Sequence, residues 1–396
     1  MAADMLAAYY DRGEDSSSLF ASLKISGAAS YHVHLNQYDV IKVNMQEFLS
    51  MTHDMDDMLA MLQKYLVFDL VEHFGDIRFR DENNLIQVMK DIYAKTKRSF
   101  VILIDEWDCL FREYQQDQNA QKKYLDFLRA WLKDKDYVAL AYMTGILPIK
   151  KYGSHSALNM FTEYSMTDPG DMAEYFGFTE QEVSDLCKKY QMSFDEAKQW
   201  YDGFIFGQRR DIYNPWSITN YLKEKKLKPY WAATSSNALI SKLIQTASAD
   251  MKKQMERLLN GELITVSFDE QVVFSQLEQD ESAIWSLLVA SGYLKVEDVE
   301  YRGMTLEPWY HLDITNLETV SMFSNMFKGW FAPVASNYNE FIRALLEGNV
   351  KAMNLYMNDV ALATFSSFDV GKYVSERTQP ERFYHGFVLG LLIEIR

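Results

Sequence analysis

One continuous apolar run, FVILI at residues 100–104, restricts the fold of this chain more than any other feature of its sequence. Five consecutive apolar residues fit a strand covered on both faces, as strands of a parallel sheet are. VALAYM at residues 138–143 predicts a second such strand, and DVIKVNM at residues 39–45 a shorter one. Helical spacing occurs at residues 55–74, 84–93 and 121–133. This alternation predicts a doubly wound α/β layer over roughly the first 150 residues.

Two acidic residues, Asp105 and Glu106, directly follow the FVILI run. Nucleotide phosphates bind at the carboxyl ends of strands in such sheets, so both carboxylates are candidates for phosphate chemistry. Asp105 would hold Mg²⁺, directly or through water, because a hard cation prefers carboxylate oxygen. Glu106 would orient and deprotonate the attacking water. The alternative is an ordinary acidic pair at a strand end, a pattern that is common on its own.

The residues near the VALAYM strand add to this pattern. Thr144 follows that strand, so we expect its hydroxyl at the sheet edge beside Asp105, in reach of the attacking water or the terminal phosphate. A capping or turn hydroxyl is the alternative. Phosphoryl transfer also needs positive charge against the developing oxyanions. Arg129, Lys150 and Lys151 are the candidates, and a solvated surface side chain is the alternative for each.

The sequence contains no GxxxxGK[ST] loop, the motif that encloses nucleotide phosphates with backbone N–H groups and a lysine. Its Gly-Lys pair, Gly371-Lys372, is followed by tyrosine and does not follow a buried strand. We therefore expect no measurable ATP turnover and only weak ATP binding by this chain.

Composition and charge weigh against several other classes of protein. A formal charge of −16 disfavours a surface that binds nucleic acid throughout, although a local basic patch stays open. Cys109 and Cys187 form no CxxC pair, which argues against a disulfide framework or a zinc site. His32 and His34 have metal-like spacing but no evident third ligand, which favours a surface strand. No apolar run approaches the roughly 20 residues of a membrane span, so we expect a soluble, cytoplasmic protein.

Residues 166–228 differ in character from residues 1–165, which we assign to the α/β core. Helical spacing with aromatic punctuation predicts a helical, lid-like region there. Its large aromatic side chains, at Trp200, Tyr201, Phe204 and Trp216, are interpreted as core residues.

Residues 229–330 predict a winged-helix-like module, because the helical run IWSLLVASGYL is followed by two strand-like runs, LKVEDVEYRG and TLEPWYHLDI. Glu297, Asp298 and Glu300 in this hairpin would repel a phosphate backbone, so we expect a packing or partner-binding role rather than DNA binding. Residues 331–396 predict a further helical region that ends on FYHGFVLGLLIEIR.

Both ends of the chain read as cut. Apolar residues at Met5, Leu6, Tyr9 and Tyr10 already form one helical face, with no cap before them. The last helix is strongly apolar and has no Gly, Asn or Pro exit signal. We therefore expect the parallel sheet to be incomplete at its amino-terminal side.

A family resemblance joins these segments. The runs VILIDEWDCL, MTGILPIKKYGSHSALNMF, EYFGFTEQEV, WYDGF, IYNPWSITNYL, PYWAATSSNALI and FYHGFVLGLL occur in this order. Together they resemble the bacterial AAA-ATPase-like proteins that end in a PD-(D/E)XK nuclease-like domain, over nearly the whole chain. The resemblance implies that Asp105 and Glu106 match the Walker B acids of this family of P-loop NTPases. It also implies that Thr144 takes its sensor position and Lys151 that of the lysine after the TGI strand.

The resemblance further implies that a strand and a phosphate-binding loop precede the helix beginning at Met1. FYHGFVLGLL looks like the first helix of the nuclease-like domain, whose catalytic Asp and Glu-x-Lys residues would follow Arg396.

Two main hypotheses follow for function. The chain is a fragment of an ATPase whose intact parent binds Mg²⁺ and ATP, coupled to a nuclease-like domain. Alternatively, it is a non-enzymatic, ATPase-shaped scaffold that binds a protein partner or itself. DNA binding through the winged-helix-like module is a third and weaker hypothesis.

Overall fold

The structure is a computed structural model that describes residues 2–114, 117–146, 158–232, 238–270, 280–331, 344 and 348–355. The chain forms two compact units. The first is built mainly from Met1–Glu163, and the second from Tyr164–Glu270 together with later residues.

The first unit contains a parallel sheet of three described strands, β1 (Asp39–Asn44), β2 (Phe100–Asp105) and β3 (Val138–Met143). The predicted parallel sheet is therefore confirmed. β2 lies between the other two strands, and the five apolar residues of its FVILI run are almost completely buried. The prediction that β3 is covered on both faces is wrong, because its side chains are half-buried or exposed where it forms an outer strand of the described sheet.

The described helices of the first unit are α1 (Ala2–Tyr10), α2 (Ser17–Phe20), α3 (Tyr31–His34), α4 (Met45–Ser50), α5 (Met55–His73), α6 (Leu85–Thr96), α7 (Cys109–Glu113) and α8 (Gln118–Leu132). A 3-10 turn covers Lys24–Gly27. α1 packs against β1 and β2, and α5 packs against α6 and α8. Asn84 and Asp117 cap α6 and α8 by accepting hydrogen bonds from backbone N–H groups of the first turn.

The predicted surface strand around His32 and His34 is wrong, since both residues lie in the single turn of α3. The Nδ1 atom of His34 is 2.8 Å from the hydroxyl of Tyr38, so this histidine has a local partner four residues along the chain. The short-range contact is compatible with a helical turn and gives no indication of a metal site.

The second unit begins with helices α9 (Glu180–Tyr190), α10 (Phe194–Tyr201) and α11 (Pro215–Glu224), after a 3-10 turn at Gly170–Glu174. Three antiparallel strands accompany them, β4 (Phe178–Thr179) directly before α9, and β5 (Asp202–Phe206) and β6 (Arg209–Tyr213) between α10 and α11. Their order in the sheet is β4-β6-β5. The prediction of a helical region over residues 166–228 is therefore wrong for these strands.

The aromatic residues of this region are mostly core, as the sequence predicts. Tyr201 and Phe204 are buried, and Trp200 packs partly buried against the cluster formed by α9, α10 and α11. Trp216 is different, because it is 48% exposed in the first turn of α11. The prediction that Trp216 belongs to the core is wrong.

The rest of the second unit contains α12 (Ala238–Thr246), α13 (Ala249–Leu259), β7 (Ile264–Val266), α14 (Ser282–Ala290), β8 (Leu294–Arg302), β9 (Glu307–Ile314) and α15 (Leu317–Phe331). β7, β9 and β8 form an antiparallel sheet in that order. α14 is followed by the hairpin of β8 and β9, which is the order of elements that the sequence predicts. The assignment of a winged-helix module stays a prediction.

The backbone at Gly203, in β5, lies against the segment that follows β9. Its φ of +136° suits glycine, and a Cβ atom there would stand 1.8 Å from the carbonyl oxygen of Thr315. Asn316 donates a side-chain hydrogen bond to the carbonyl of Tyr201 at 3.3 Å. β5 and the segment that follows β9 are thus in direct contact.

Among the helices that the structure describes, none has the length and apolar character needed to cross a bilayer. The predicted helical region at residues 331–396 lies outside the described residues, except for residues 331, 344 and 348–355.

Candidate functional site

The candidate site lies at the carboxyl edge of the parallel sheet, where β1 and β2 both end on a polar residue. Asn44 pairs with Asp105 in the β1–β2 register, and Met143, the last residue of β3, pairs with Ile104. Thr144 continues this alignment, because its N–H donates to the carbonyl of Ile104 at 2.9 Å. The parallel register therefore brings Asn44, Asp105 and Thr144 to one edge.

The carboxylate of Asp105 organises this edge. Its Oδ1 atom accepts a hydrogen bond from the hydroxyl of Thr144 and one from the N–H of Glu106 at 3.2 Å. The N–H of Trp107 donates to the carbonyl of Thr144 at 3.0 Å, so the ends of β2 and β3 are joined by both backbone and side-chain hydrogen bonds. The structure thus brings two of the sequence-predicted site residues into direct contact.

Glu106 occupies an unusual backbone conformation. Its φ is +54°, in the left-handed region that non-glycine residues seldom adopt. Its carboxylate pairs with the guanidinium of Arg112 on α7, and the two side chains are 41% and 24% exposed, respectively. Glu106 therefore lies at the expected sheet edge, but with its charge directed to a neighbouring cation.

Asp108 and Gly145, for which the sequence predicts no role, lie at the same edge. Asp108 is fully buried, and its Oδ2 atom accepts a hydrogen bond from the N–H of Ile146 at 3.0 Å. A Cβ atom on Gly145 would stand 2.5 Å from Cδ1 of Trp107 and 2.7 Å from Oδ1 of Asp108. The turn after β2 and the turn after β3 therefore pack too closely for any residue larger than glycine at position 145.

Buried aromatic and thiol groups support this turn. Trp107 is buried, and its carbonyl accepts a hydrogen bond from the hydroxyl of Tyr124 at 2.8 Å. Burial raises the pKa of the Cys109 thiol to about 12, so this cysteine stays protonated at neutral pH and is not a nucleophile. The pKa of Tyr142 is raised mainly by burial and secondarily by the charge of Asp105. These side chains therefore have a structural role next to the site.

The predicted cationic residues have different outcomes. Arg129 lies in the last turn of α8, half exposed, with an ion pair to Asp126 at 3.4 Å. α8 ends at Leu132, and β3 begins at Val138. The last turn of α8 therefore lies near the amino end of β3. Lys150 and Lys151 lie outside the described residues. None of the three is therefore placed beside Asp105 by the structure.

The residues at the edge fit a nucleotide-bound Mg²⁺ better than a metal held by protein alone. Mg²⁺ in phosphate sites takes one or two carboxylates, completed by phosphate oxygens and water. Asp105, half-buried beside the Thr144 hydroxyl, supplies hard oxygen ligands of that kind. Within the described ranges, no group of three or more His, Cys, Asp or Glu side chains is placed to hold a metal. The phosphates themselves have no GxxxxGK[ST] loop in these 396 residues.

A second carboxylate pair, absent from the sequence analysis, lies in the second unit. Burial first, and the charge of Asp211 second, raise the pKa of Asp202 to about 6. Asp211 lies in β6, shortly after the tight β5–β6 turn, and has a left-handed φ of +58°. Sequence signals for the pair are weak, because the two aspartates are nine positions apart in a region that reads as helical.

The hairpin of β8 and β9 carries the acids that the sequence analysis singled out. Glu297 pairs with Arg210 at 2.6 Å and with Lys295 at 2.9 Å, and Glu300 pairs with Arg302 at 2.7 Å. The negative charges of Glu297 and Glu300 are thus balanced locally. The hairpin offers no excess of positive charge for a phosphate backbone.

Comparison with known proteins finds a family match in the first unit. Residues 1–154 match the AAA-ATPase-like family, described as "Predicted AAA-ATPase". A curated protein from Azotobacter chroococcum mcd 1, described as an uncharacterized protein in the vnfD 5' region, is 22% identical over 238 residues. That alignment covers 59% of this chain and 43% of the relative, so less than half of the relative's length is matched.

Among solved structures, one match is the Aeropyrum pernix ORC1 protein in complex with DNA. It covers 82% of this chain and 90% of that chain at 12% identity, with a TM-score of 0.26. A TM-score this low supports no statement about the fold or the ligands of this chain.

Proposed function

We propose that the first unit supplies the magnesium- and water-handling part of an ATP hydrolysis site. The observation that carries the proposal is the contact between the Asp105 carboxylate and the Thr144 hydroxyl at the end of the central described strand. The match of residues 1–154 to the AAA-ATPase-like family supports it. Phosphate binding then depends on a loop that the 396 residues do not contain.

Each residue has a separate task in this proposal. When bound, Mg²⁺ supplies charge neutralisation for the phosphates, and Asp105 holds it with Thr144 alongside. Glu106 accepts the proton of the attacking water. Thr144 reports the presence of the terminal phosphate by hydrogen bonding, and Lys151 and Lys150 are candidate cations for the developing oxyanions. Arg129, near the amino end of β3, has no part in this proposal. Coupling to a nuclease-like domain and a cytoplasmic location are further parts of the proposal.

The test compares two forms of the protein. One is the 396-residue chain, and the other is that chain extended at its amino end by an added strand and GxxxxGK[ST] loop. We expect no measurable turnover and weak ATP binding for the first form, and Mg²⁺-dependent hydrolysis for the second. Micromolar binding of Mg·ATP to the 396-residue chain, measured by calorimetry, would contradict the part of the proposal that concerns this chain.

Glu106→Gln in the extended form tests the assignment of the base. The amide cannot accept the proton, so we expect turnover to fall by about 10²- to 10⁴-fold while ATP binding is retained. Lys123→Gln is the matched control, because Lys123 forms a surface ion pair with Asp56 in the same unit. Unchanged turnover in Glu106→Gln would remove Glu106 from the mechanism.

A second candidate function, a scaffold for protein contact, is favoured by the tip of the β8–β9 hairpin. Tyr301, Met304 and Leu306 are largely exposed there. Self-association through this tip predicts a concentration-dependent dimer of the 396-residue chain in sedimentation experiments, lost in Met304→Ser. A monomer at all concentrations would contradict self-association.

A further inference from the structure

The hairpin of β8 and β9 has one open edge. Within the described sheet β9 lies between β7 and β8, so β8 has a strand partner on one side only. The start of β8 is covered on its other side, because the guanidinium of Arg210 donates to the carbonyl of Glu297 at 2.8 Å. Beyond Glu297, the described residues place no second strand beside β8. Residues 298–302 therefore form a free edge, whose outward N–H and C=O groups can pair with another strand.

The side chains of this free edge differ between its two faces. Glu300 and Arg302, two positions apart on one face, form an ion pair at 2.7 Å. The Cζ atom of Arg302 also lies 4.3 Å from the centre of the Trp309 ring, and Trp309 pairs with Glu300 in the β8–β9 register. On the other face Tyr301 is 65% exposed. One face thus carries an ordered pair of opposite charges, and the other an exposed aromatic ring.

Charged side chains on an edge strand usually discourage pairing with another chain. The alternating signs at Glu300 and Arg302 have the opposite effect in one arrangement. When two copies of β8 run antiparallel about a two-fold axis through Tyr301, Glu300 of each copy lies directly opposite Arg302 of the other. Four charges of alternating sign then meet on one face, and the two Tyr301 rings meet on the other, and both kinds of cross-strand contact stabilise a sheet.

The same residues disfavour the neighbouring registers. An axis through residue 300 places Glu300 opposite its own copy, and an axis through residue 302 does the same for Arg302. Like charges directly opposite each other destabilise a pair of strands. An axis midway between residues 300 and 301 places Glu300 opposite Tyr301, whose side chain points to the other face, so a regular ladder cannot form. The charge pattern therefore selects a single register.

We propose that the 396-residue chain dimerises by antiparallel pairing of two β8 strands, with Tyr301 on the two-fold axis and ion pairs between Glu300 and Arg302 on either side of it. This rests on the second candidate function, self-association through the hairpin tip, and gives that contact a partner, a symmetry and a register. Met304 and Leu306 flank the paired segment, where their exposed apolar surface can be covered. The paired segment is short, so the dimer is weak and needs concentrated protein.

The first test reverses one charge at a time in the 396-residue chain. Glu300→Arg puts a second cation opposite Arg302, and Arg302→Glu puts a second anion opposite Glu300. We expect each variant alone to dimerise about tenfold more weakly than the wild type. In a mixture of the two variants every opposed pair again has opposite signs, so we expect mixed dimers at the affinity of the wild type. Sedimentation velocity with one variant fluorescently labelled measures both quantities.

Glu262→Arg is the matched control, because it reverses an exposed charge of the second unit away from β8. It should leave dimerisation unchanged. Charge-reversed variants that each dimerise as tightly as the wild type, or a mixture that associates no better than its components, would overturn the proposal.

The second test locates the two-fold axis. In the proposed register the two Cβ atoms at position 301 lie about 4.5–5.5 Å apart, close to the separation in a disulfide. We therefore expect Tyr301→Cys to give a covalent dimer under mild oxidation. Thr305→Cys, also exposed but four positions from the axis, should not. Cys109 and Cys187 are buried and do not compete. Equal crosslinking of the two variants would overturn the register.

The outcomes distinguish this proposal from the functions on which it bears. A wild-type chain that stays monomeric at the highest attainable concentration ends both self-association through the tip and pairing of β8. A dimer that is lost in Met304→Ser but unchanged by Glu300→Arg and Arg302→Glu leaves self-association standing and overturns the pairing of β8. ATP hydrolysis by the extended protein is a separate measurement and depends on neither result.

Discussion

The two units of this protein place carboxylates in opposite environments. In the first unit, Asp105 and Glu106 stand at an open strand end, where Glu106 is 41% exposed. In the second unit, the side chain of Glu318 is completely buried, and this burial raises its pKa. A carboxylate at an open strand end is accessible to a ligand, as we propose for Asp105, whereas one enclosed by N–H and O–H donors stabilises the fold.

The contacts of Glu318 show how it is used. It accepts hydrogen bonds from the Ser217 hydroxyl at 2.8 Å, from the N–H of Trp231 at 2.6 Å and from the N–H of Ala232 at 3.3 Å. One side chain thus joins α11, the segment after it and α15.

The largest expected effect sharpens this comparison. Glu318→Ala leaves buried donors without an acceptor, so we expect the free energy of unfolding of the second unit to fall by about 3–5 kcal/mol. Urea denaturation measures the change. Glu262→Ala, which removes an exposed partner of Arg257, is the control and should change stability by no more than about 0.5 kcal/mol. A loss below about 1 kcal/mol for Glu318→Ala would show that the site is more open than described.

The next effect concerns the close packing of the first unit. Gly145→Ala puts a Cβ atom against Trp107 and Asp108, so we expect the unfolding free energy to fall by about 1–3 kcal/mol. Gly27→Ala, where nothing stands within 4 Å of the added atom, is the matched control. Equal stability of the two variants in thermal or urea unfolding would contradict the close approach of the two turns.

A smaller effect concerns the second carboxylate pair, Asp202 and Asp211, whose contribution to stability should depend on pH. The pKa of Asp202 is raised from 3.8 to about 6 in the folded state, so this group favours folding when protonated. As pH rises from 4 to 6, the unfolded state loses its Asp202 proton first, and the stability contributed by this group falls over that window. The full cost is present above pH 6.

Asp202→Asn removes that cost. At pH 7 we expect it to stabilise the protein by about 1 kcal/mol, less than the full pKa shift implies because solvent screens a half-buried group. The advantage should shrink at pH 4. Urea unfolding at both pH values measures it, with the exposed Asp171→Asn as the control. A variant that is less stable than wild type at pH 7 would show that the Asp202 charge is favourable.

The comparison of the two units also explains what the sequence can predict. The five-residue apolar run before Asp105 identifies β2 and its central position, because few arrangements besides a parallel sheet bury both faces of a strand. β5 and β6 are short, with aromatic and charged residues that fit a helix equally well. Periodicity alone therefore misses them.

The site shows the same limit. Asp105 and Thr144 are predictable because each directly follows an apolar strand. Arg112 and Asp108 are not, since their roles depend on the left-handed turn at Glu106 and on contacts across to the end of β3. Trp216 illustrates the reverse error, because its aromatic type suggests burial while its place in the first turn of α11 exposes it.

We propose that the metal of the ATPase site binds at the edge formed by Asp105 and Thr144. Paramagnetic broadening by Mn²⁺ in the presence of ATP tests it most directly, using amide NMR signals of the extended protein. We predict broadening centred on the amides of Ile104 to Glu106 and Thr144, and its loss in Asp105→Asn. Broadening centred on Asp202 and Asp211, or none near residue 105, would contradict the account.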